Sequence, residues 1–329
     1  MKALKYCALV ATALAAFMGG TQVPVQAQDY PVRPLTIVVP FTPGAATDFL
    51  ARLLGKELEE RLGKPVVVEN RPGAGTNIGS HSVAKAAPDG YTLLMATSTP
   101  MAINVSLYKN LSFDPTTELV PLALVAQSPF VLIVNPSIPV KTVPELIAYA
   151  KEKQGKLTFG SAGPGSPHHL FAELFKTMTG TQATHVIYRG SVPALNDVVA
   201  GHIDFMFCDF ASAEGMLQGG KVRPLGVTTA ARIPAHTDIP PINEAGVAGY
   251  DVAAWFMVVT TGKSPAIVVD KLHGELKTIL AKPTVKEQLL KLSLLPMETK
   301  PVAEMQSFVK SEIARWGKVV EAAGIKESQ

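Results

Sequence analysis

Short apolar runs alternate with helical patterns along most of this chain, and that alternation limits its fold more than any other feature. The runs at 35–39, 66–69 and 91–95 are each four or five residues long, too short for a helix. Between the first two, Phe49, Leu50, Leu53, Leu54 and Leu58 repeat with a 3.6-residue period, and a second helical pattern covers 78–85. Strand–helix–strand units of this kind bury their apolar faces by forming a mostly parallel sheet covered by helices. The alternation resumes at Thr142-Val143-Pro144-Glu145, a capping box with proline in the first turn. Strands follow near 157–159, 185–188 and 203–207, with helices at 167–178, 192–200 and 211–218. Three helical patterns, 264–280, 283–291 and 301–323, end the chain.

Two places interrupt the pattern. The apolar runs 119–126 and 130–134 are separated only by Gln127-Ser128-Pro129, and a β passage of that length can serve two sheets. Residues 223–229 read as the return. Two passages predict an α/β fold of two lobes, joined by two hinge strands with a ligand cleft between them. Domain I is then discontinuous, 28–126 with 229–329, and domain II is 127–228.

Composition narrows the function. Residues 1–27 carry Lys2 and Lys5, an apolar stretch from Cys7 to Met18 and a small-x-small end at Val25-Gln26-Ala27, the pattern of a secretory signal peptide cleaved after Ala27. The apolar stretch is too short to span a membrane, and Cys7 lacks the small-residue context that lipidation needs. An exported, periplasmic, monomeric chain without membrane insertion is expected. Loss of the two lysines takes the formal charge from +3 to +1, which argues against nucleic acid. Cys208 is then the one remaining cysteine, expected as a small buried residue without a disulfide.

The chemistry-bearing stretches are turns from strand to helix. Phe41-Thr42-Pro43-Gly44-Ala45-Ala46-Thr47-Asp48 follows the first strand, with Thr47 as the expected cap and Asp48 in the first helical turn. Gly160-Ser161-Ala162-Gly163-Pro164-Gly165-Ser166 forms a second such turn, with Ser166 placed to cap the next helix. Free N–H groups and a partial positive charge make a helix N-terminus an anion site. The two turns are expected to face each other and clamp one carboxylate, with Asp48 shaping the first turn rather than touching the anion. Ser98 and Asp209 lie at the carboxyl ends of expected strands, where open α/β sheets bind ligands. The turn Arg189-Gly190-Ser191 offers a bidentate cation and Ser191 as cap. Of His168 and His169, His169 is the better candidate to reach a ligand, pointing toward the second turn or capping it. His168 and His169 are adjacent and so cannot share a metal face, and no metal or cofactor is expected.

Gly73-Ala74-Gly75 with Gly79 has the wrong spacing for a dinucleotide fingerprint and no acidic residue at the ribose position. Neither Ser161 nor Ser166 sits in G-x-S-x-G, so binding without catalysis is the first reading. An exported serine hydrolase using one of these serines is the alternative, and a binding protein serving signalling rather than transport is a third.

Tyr30-Pro31-x-Arg33-Pro34, Val38-Val39-Pro40-Phe41-x-Pro43-Gly44 with Asp48, Asn70-Arg71-Pro72-Gly73-Ala74-Gly75, Pro88-Asp89-Gly90-Tyr91-Thr92-Leu93, Tyr188-x-Gly190 and Trp316-Gly317-Lys318 with Ala323-Gly324-Ile325 occur in this order. Over essentially the whole chain after residue 27, the sequence resembles the substrate-binding proteins of tripartite tricarboxylate transporters, the Bordetella uptake gene family. The resemblance implies a two-lobed periplasmic binding protein with a hinge. It also implies carboxylate capture by the first two turns through backbone amides and bridging waters, then lobe closure and delivery to a membrane permease. Three positions depart from the family pattern. Ala45 stands where a second glycine is usual, Trp255-Phe256-Met257 replaces Trp-x-Gly, and Cys208-Asp209 has its aspartate one place late. These departures bear on the ligand's identity rather than on the fold.

Overall fold

A computed structural model describes residues 30–44 and 46–329. The expected signal peptide, its cleavage after Ala27 and the expected ligand residue Ala45 lie outside the described residues. Of the unit ending at Val32, residues 30–32 are described, with a cis peptide between Tyr30 and Pro31. Residues 33–329 carry the fold.

The first sheet begins with three parallel strands, β1 (Leu35–Val39), β2 (Val66–Asn70) and β3 (Thr92–Thr97), in which Ile37 stands beside both Val68 and Leu93. Helix α1 (Ala46–Leu62) links the first two, and α2 (Asn77–Ala84) links the second and third. Helix α1 buries Leu50, Leu53, Leu54 and Leu58, while Phe49 stays 38% exposed, outside the expected apolar face. A π-helical turn over Thr99–Ile103 and the short α3 (Asn104–Leu107) follow β3. Strand β4 (Leu119–Ser128) then crosses the molecule, and Pro129 separates it from β5 (Phe130–Val134) in the second sheet.

The second sheet is built from β5, β6 (Thr158–Ser161), β7 (Thr184–Ile187), β8 (Phe205–Asp209) and β9 (Arg223–Val227), in the order β7-β6-β8-β5-β9. Strand β6 is parallel to β7 and β8, while β5 runs antiparallel to β8 and β9. Helices α4 (Val143–Lys153), α5 (Pro167–Thr179), α6 (Ser191–Ala200) and α7 (Phe210–Gln218) connect them. Thr142 caps α4 by accepting from the Glu145 N–H at 3.3 Å, and the Glu145 carboxylate reaches back to the Lys141 N–H at 2.6 Å. The return differs from the expectation for 223–229. Beyond β9 the chain stays on the second sheet. Ile242 N donates to Val227 O, Val252 N donates to Thr228 O, and the Tyr250 hydroxyl donates to Phe171 O at 2.8 Å.

The first sheet is completed by a strand that the sequence pattern does not reveal, β10 (Ala254–Thr261), antiparallel to both β3 and β4. All eight of its residues are buried. A central strand buried on both faces has no polar alternation to mark it. Ala254 pairs with Ser128, so the two passages between sheets run side by side at the waist. Helices α8 (Ala266–Ala281) and α9 (Pro283–Lys291) and the two-residue β11 (Leu295–Pro296) lead to α10 (Val302–Ala322), giving the order β11-β4-β10-β3-β1-β2.

Helix α10 ties the halves together. The indole N–H groups of Trp255 and Trp316 both donate to Glu312 Oε2, at 2.8 and 3.0 Å, and Trp316 stacks on Phe171 of α5 at 5.7 Å. A buried carboxylate is tolerated there because it is hydrogen-bonded. Among the described residues no helix is long and apolar enough to cross a membrane.

Candidate functional site

Because β1, β2 and β3 are parallel, their carboxyl ends share one edge, and the turn at 41–44 sits on it. Asp48 fixes that turn. It is 5% exposed and accepts from Gly44 N at 3.1 Å, from Asn70 Nδ2 at 3.0 Å, and from Arg52 through both Nε and Nη2 at 3.0 Å. Asn70 Nδ2 also donates to Phe41 O at 3.1 Å, which ties β2 to the start of the turn. The hydrogen bond from Arg52 holds the Asp48 carboxyl below its usual range, overcoming burial, with help from Asn70 and Gly44. Both carboxylate oxygens therefore have partners within the protein. Helix α1 begins at Ala46, so Thr47 is buried inside the first turn rather than serving as the cap. Phe41 is half-buried, Thr42 exposed and Ser98 fully buried at the end of β3.

The second edge carries Ser161 at the end of β6. Its hydroxyl lies 2.6 Å from His185 Nε2 and accepts from Gly163 N at 3.1 Å. Ser166 caps α5, accepting from His169 N at 3.4 Å and donating through its hydroxyl to Gly163 O at 2.6 Å. Gly165 N donates to His169 Nδ1 at 3.2 Å, so a neutral His169 carries its proton on Nε2, which lies 3.6 Å from Glu173 Oε1. Lys176 Nζ holds the same glutamate at 2.7 Å. His169 and His185 stack with ring centres 3.9 Å apart and planes 11° apart, and the Phe159 ring lies near both, 4.8 Å from His185 and 6.2 Å from His169. Burial first, then the neighbouring His169 and Lys176, push the His185 pKa down to about 4 against the pull of Glu173. His169 thus supports the loop from beneath. The Ser161–His185 contact arises from strand pairing, since Phe159 of β6 stands opposite His185 of β7.

The two edges meet. Gly165 has φ +70°, and a Cβ there would collide with the Leu107 side chain of α3 across the lobes. Gly44 has φ +89° with open space at its Cβ position, so only the backbone requires glycine there. Arg189 is exposed in the bend that follows the edge strand β7. Gly190, not Ser191, holds the cap position of α6; Ser191 opens the helix, and its hydroxyl lies 3.1 Å from that of Ser212. Asp209 caps α7 through Ser212 N at 2.9 Å, and His168 Nε2 lies 3.4 Å from its second oxygen. Burial raises the Asp209 pKa, but the neighbouring His168 and the Ser212 contacts hold it below the usual value. Cys208 is buried and free, and burial pushes its thiol well above the ordinary value.

Among the described residues, six buried side-chain atoms lack a hydrogen-bond partner: Thr76 Oγ1, Thr97 Oγ1, Asn104 Oδ1, both ring nitrogens of His168, and Ser264 Oγ. All but Ser264 lie at the two carboxyl edges. Such an atom costs about 1–3 kcal/mol unless a partner is supplied, so their gathering marks a place where a polar guest belongs. Asn104 is oriented by its own Nδ2, which donates to Gly75 O at 2.9 Å and Asn77 Oδ1 at 2.6 Å and leaves Oδ1 over. Sequence reasoning placed Thr97 with Ser98 at the ligand edge, missed Thr76, Asn104 and His185, and ranked His168 below His169. An asparagine inside the apolar stretch 100–105 is the one signal that was available. Two surface depressions, of about 370 and 410 Å³, lie elsewhere: one is lined by Leu124, Met297 and Phe308, the other by Arg52, Lys56 and Val66.

Residues 50–325 match the family described as "Tripartite tricarboxylate transporter family receptor". The chain is similar to Rpa4515 of R. palustris, solved with adipate, at 39% identity and TM-score 0.81 over 90% of this chain and 99% of that one. It is similar to the periplasmic binding protein BugD at 33% identity and TM-score 0.77, over 90% and 99%. It is also similar to MatC of Rhodopseudomonas palustris, solved with bound malate, at 32% identity and TM-score 0.76, over 88% and 100%. Two α/β lobes, paired strand-to-helix turns and these likenesses lead to one conclusion: this chain belongs to the tripartite tricarboxylate transporter receptors, a family of periplasmic solute-binding proteins.

Proposed function

We propose that this protein is an exported receptor that captures a small organic carboxylate between its lobes and hands it, chemically unchanged, to the permease of a tripartite tricarboxylate transporter. The observation that carries this reading is the gathering of unpartnered buried polar atoms at both carboxyl edges, beside the N-termini of α1 and α5. The adipate and malate of the similar solved proteins support the ligand class. The first turn from Phe41 to Asp48, Ser98, the loop from Ser161 to Ser166, Arg189-Gly190-Ser191 and Asp209 form the proposed site, with Asp48 and His169 shaping it rather than touching the ligand. We divide the lobes at the two passages, at Pro129 and at Val252–Ala254 rather than after residue 228.

The serine hydrolase alternative is disfavoured by Ser161 itself. Its hydroxyl is fully buried and holds Gly163 N, so it has no exposed face from which to attack. A thermal-shift screen across mono-, di- and tricarboxylates tests the proposal. A ligand at 100 times its Kd stabilises by about 2.7 kcal/mol, which raises the melting temperature by several degrees. Turnover of an ester lost on Ser166→Ala, or a melt that answers to sugars and to no carboxylate, overturns it.

A further inference from the structure

One helix holds the second passage between the sheets on both of its sides. Val252 N donates to Thr228 O on the second sheet, and Ala254 already pairs with Ser128 on the first, so Ala253 is the one residue between these ties. Pro129 holds the same place between β4 and β5. A rotation of one lobe against the other is therefore absorbed at Ala253 and Pro129, because their neighbours are bound into sheets. On the second-lobe side of Ala253, Asp251 is anchored by Ala230 N, which donates to its Oδ1 at 2.9 Å, and its carbonyl oxygen accepts from Arg315 Nη2 of α10. On the first-lobe side, Trp255 pairs with Gln127 of β4, and its indole donates to Glu312 Oε2 of α10 at 2.8 Å. Arg315 Nη1 and Glu312 Oε1, about one turn apart on the helix, lie 3.5 Å from each other. Contacts thus run from Asp251 through Arg315 and Glu312 to Trp255 and bridge Ala253. Helix α10 itself rests on β4, the π-helical turn and α3, the helix whose Leu107 meets Gly165.

We propose that Glu312 and Arg315 form a latch across the hinge, which favours the lobe arrangement in which Leu107 meets Gly165. A rotation about Ala253 moves Asp251 O relative to the Trp255 indole and cannot preserve both grips. Glu312 is the fixed half, 7% exposed and bonded by the indoles of Trp255 and Trp316. Arg315 is the releasable half: its side chain is 42% exposed, so water replaces its bonds at small cost. Loss of such a half-exposed contact is expected to raise the ratio of parted to latched lobes about two- to fivefold. The latch concerns the hinge and not the ligand contacts, so it goes beyond the proposed function and does not rest on it.

The test uses the full chain without ligand. Its two tryptophans, Trp255 and Trp316, are both buried at the latch, and Trp316 stacks on Phe171 of the second lobe, so parting of the lobes uncovers an indole face. Arg315→Met keeps an unbranched stem beside the Trp316 ring and removes the guanidinium. Its acrylamide quenching constant is expected to rise about two- to fivefold over wild type, with a larger radius of gyration in small-angle X-ray scattering. Arg315→Lys retains a charged donor and should rise less. Glu312→Gln should also part the lobes, and combining it with Arg315→Met should add nothing to the larger single effect, because both act through one chain of contacts. Melting curves show which variants are folded; if Glu312→Gln is not, the two arginine variants decide. Wild-type quenching and radius in Arg315→Met overturn the latch, whatever its melting temperature. That result leaves the proposed function standing, since no ligand enters the measurement, whereas a thermal-shift screen in which every carboxylate fails overturns that function and leaves the latch.

Discussion

The two turns each lead into a helix, α1 and α5, yet they are held by opposite chemistry. The first is stapled by an ionised carboxylate, Asp48, which gathers Gly44, Asn70 and a half-exposed Arg52. The second is held from below by two stacked imidazoles, His185 gripping Ser161 and His169 gripping Gly165. A charged staple works at any pH at which the carboxyl is ionised. The second turn depends on a neutral His185, because burial and the neighbouring His169 and Lys176 disfavour a proton on that ring. The proposed cleft thus carries an acid-tolerant jaw and an acid-sensitive jaw.

Gly165 breaks the arrangement most severely. Replacing it with valine puts a β-branched residue at a positive φ and drives its side chain into Leu107, so closure is blocked. The ligand-induced rise in melting temperature is expected to vanish, and calorimetry should show at least a hundredfold loss of affinity. An unchanged affinity would mean that the two lobes do not meet at this loop.

His185 sharpens the contrast through pH. Its folded pKa of about 4 lies below the ordinary 6.5, so the fold favours the neutral ring. Its contribution is complete above pH 6.5 and is lost as pH falls toward 4, where the unfolded chain takes up the proton first. Asp48, lowered below 3.8, keeps its contribution through that window and loses it only at lower pH. Melting curves from pH 7 to 4 should therefore fall for the wild type and fall less for His185→Phe. That variant keeps the stack, loses the bond to Ser161, and should bind ligand about fivefold more weakly, consistent with one hydrogen bond worth about 1 kcal/mol. Equal slopes in the two proteins would remove the acid-sensitive jaw.

The smallest effects separate the parts of the first staple. Asp48→Asn should destabilise by about 1–3 kcal/mol in denaturant melts, because it weakens several charge-assisted bonds at once. Arg52→Ala should lose no more than about 1 kcal/mol, since its side chain is 54% exposed and Gly44 and Asn70 remain on the carboxylate. If the arginine variant proves as damaging as the aspartate variant, the ion pair rather than the stapled turn holds this jaw.

Much of this organisation is legible in local pattern. Helical periodicity, the capping box at Thr142 and the glycine-rich turn at 160–166 all act within a few residues, and Ser166 does cap α5. Asp48 could be read as a positioning residue because repulsion forbids it from touching a bound anion. The failures have a common cause. Strand β10 has no alternation because both of its faces are buried, and residues 223–229 look like a return only because the bonds that keep the following chain on the second sheet, to Val227 and Thr228, span many residues. Ser161 meets His185, and Asn104 meets Gly75, only through strand order and a chain reversal.

The sequence by itself determined the α/β class and the positions of the strand-to-helix turns, because each follows from residue type and spacing along a few turns of chain. Only the tertiary structure decided which strands are neighbours, where the chain returns between sheets, and which polar atoms are left without partners at the cleft. Those depend on sheet order and register, through which distant residues meet, and no local period encodes them.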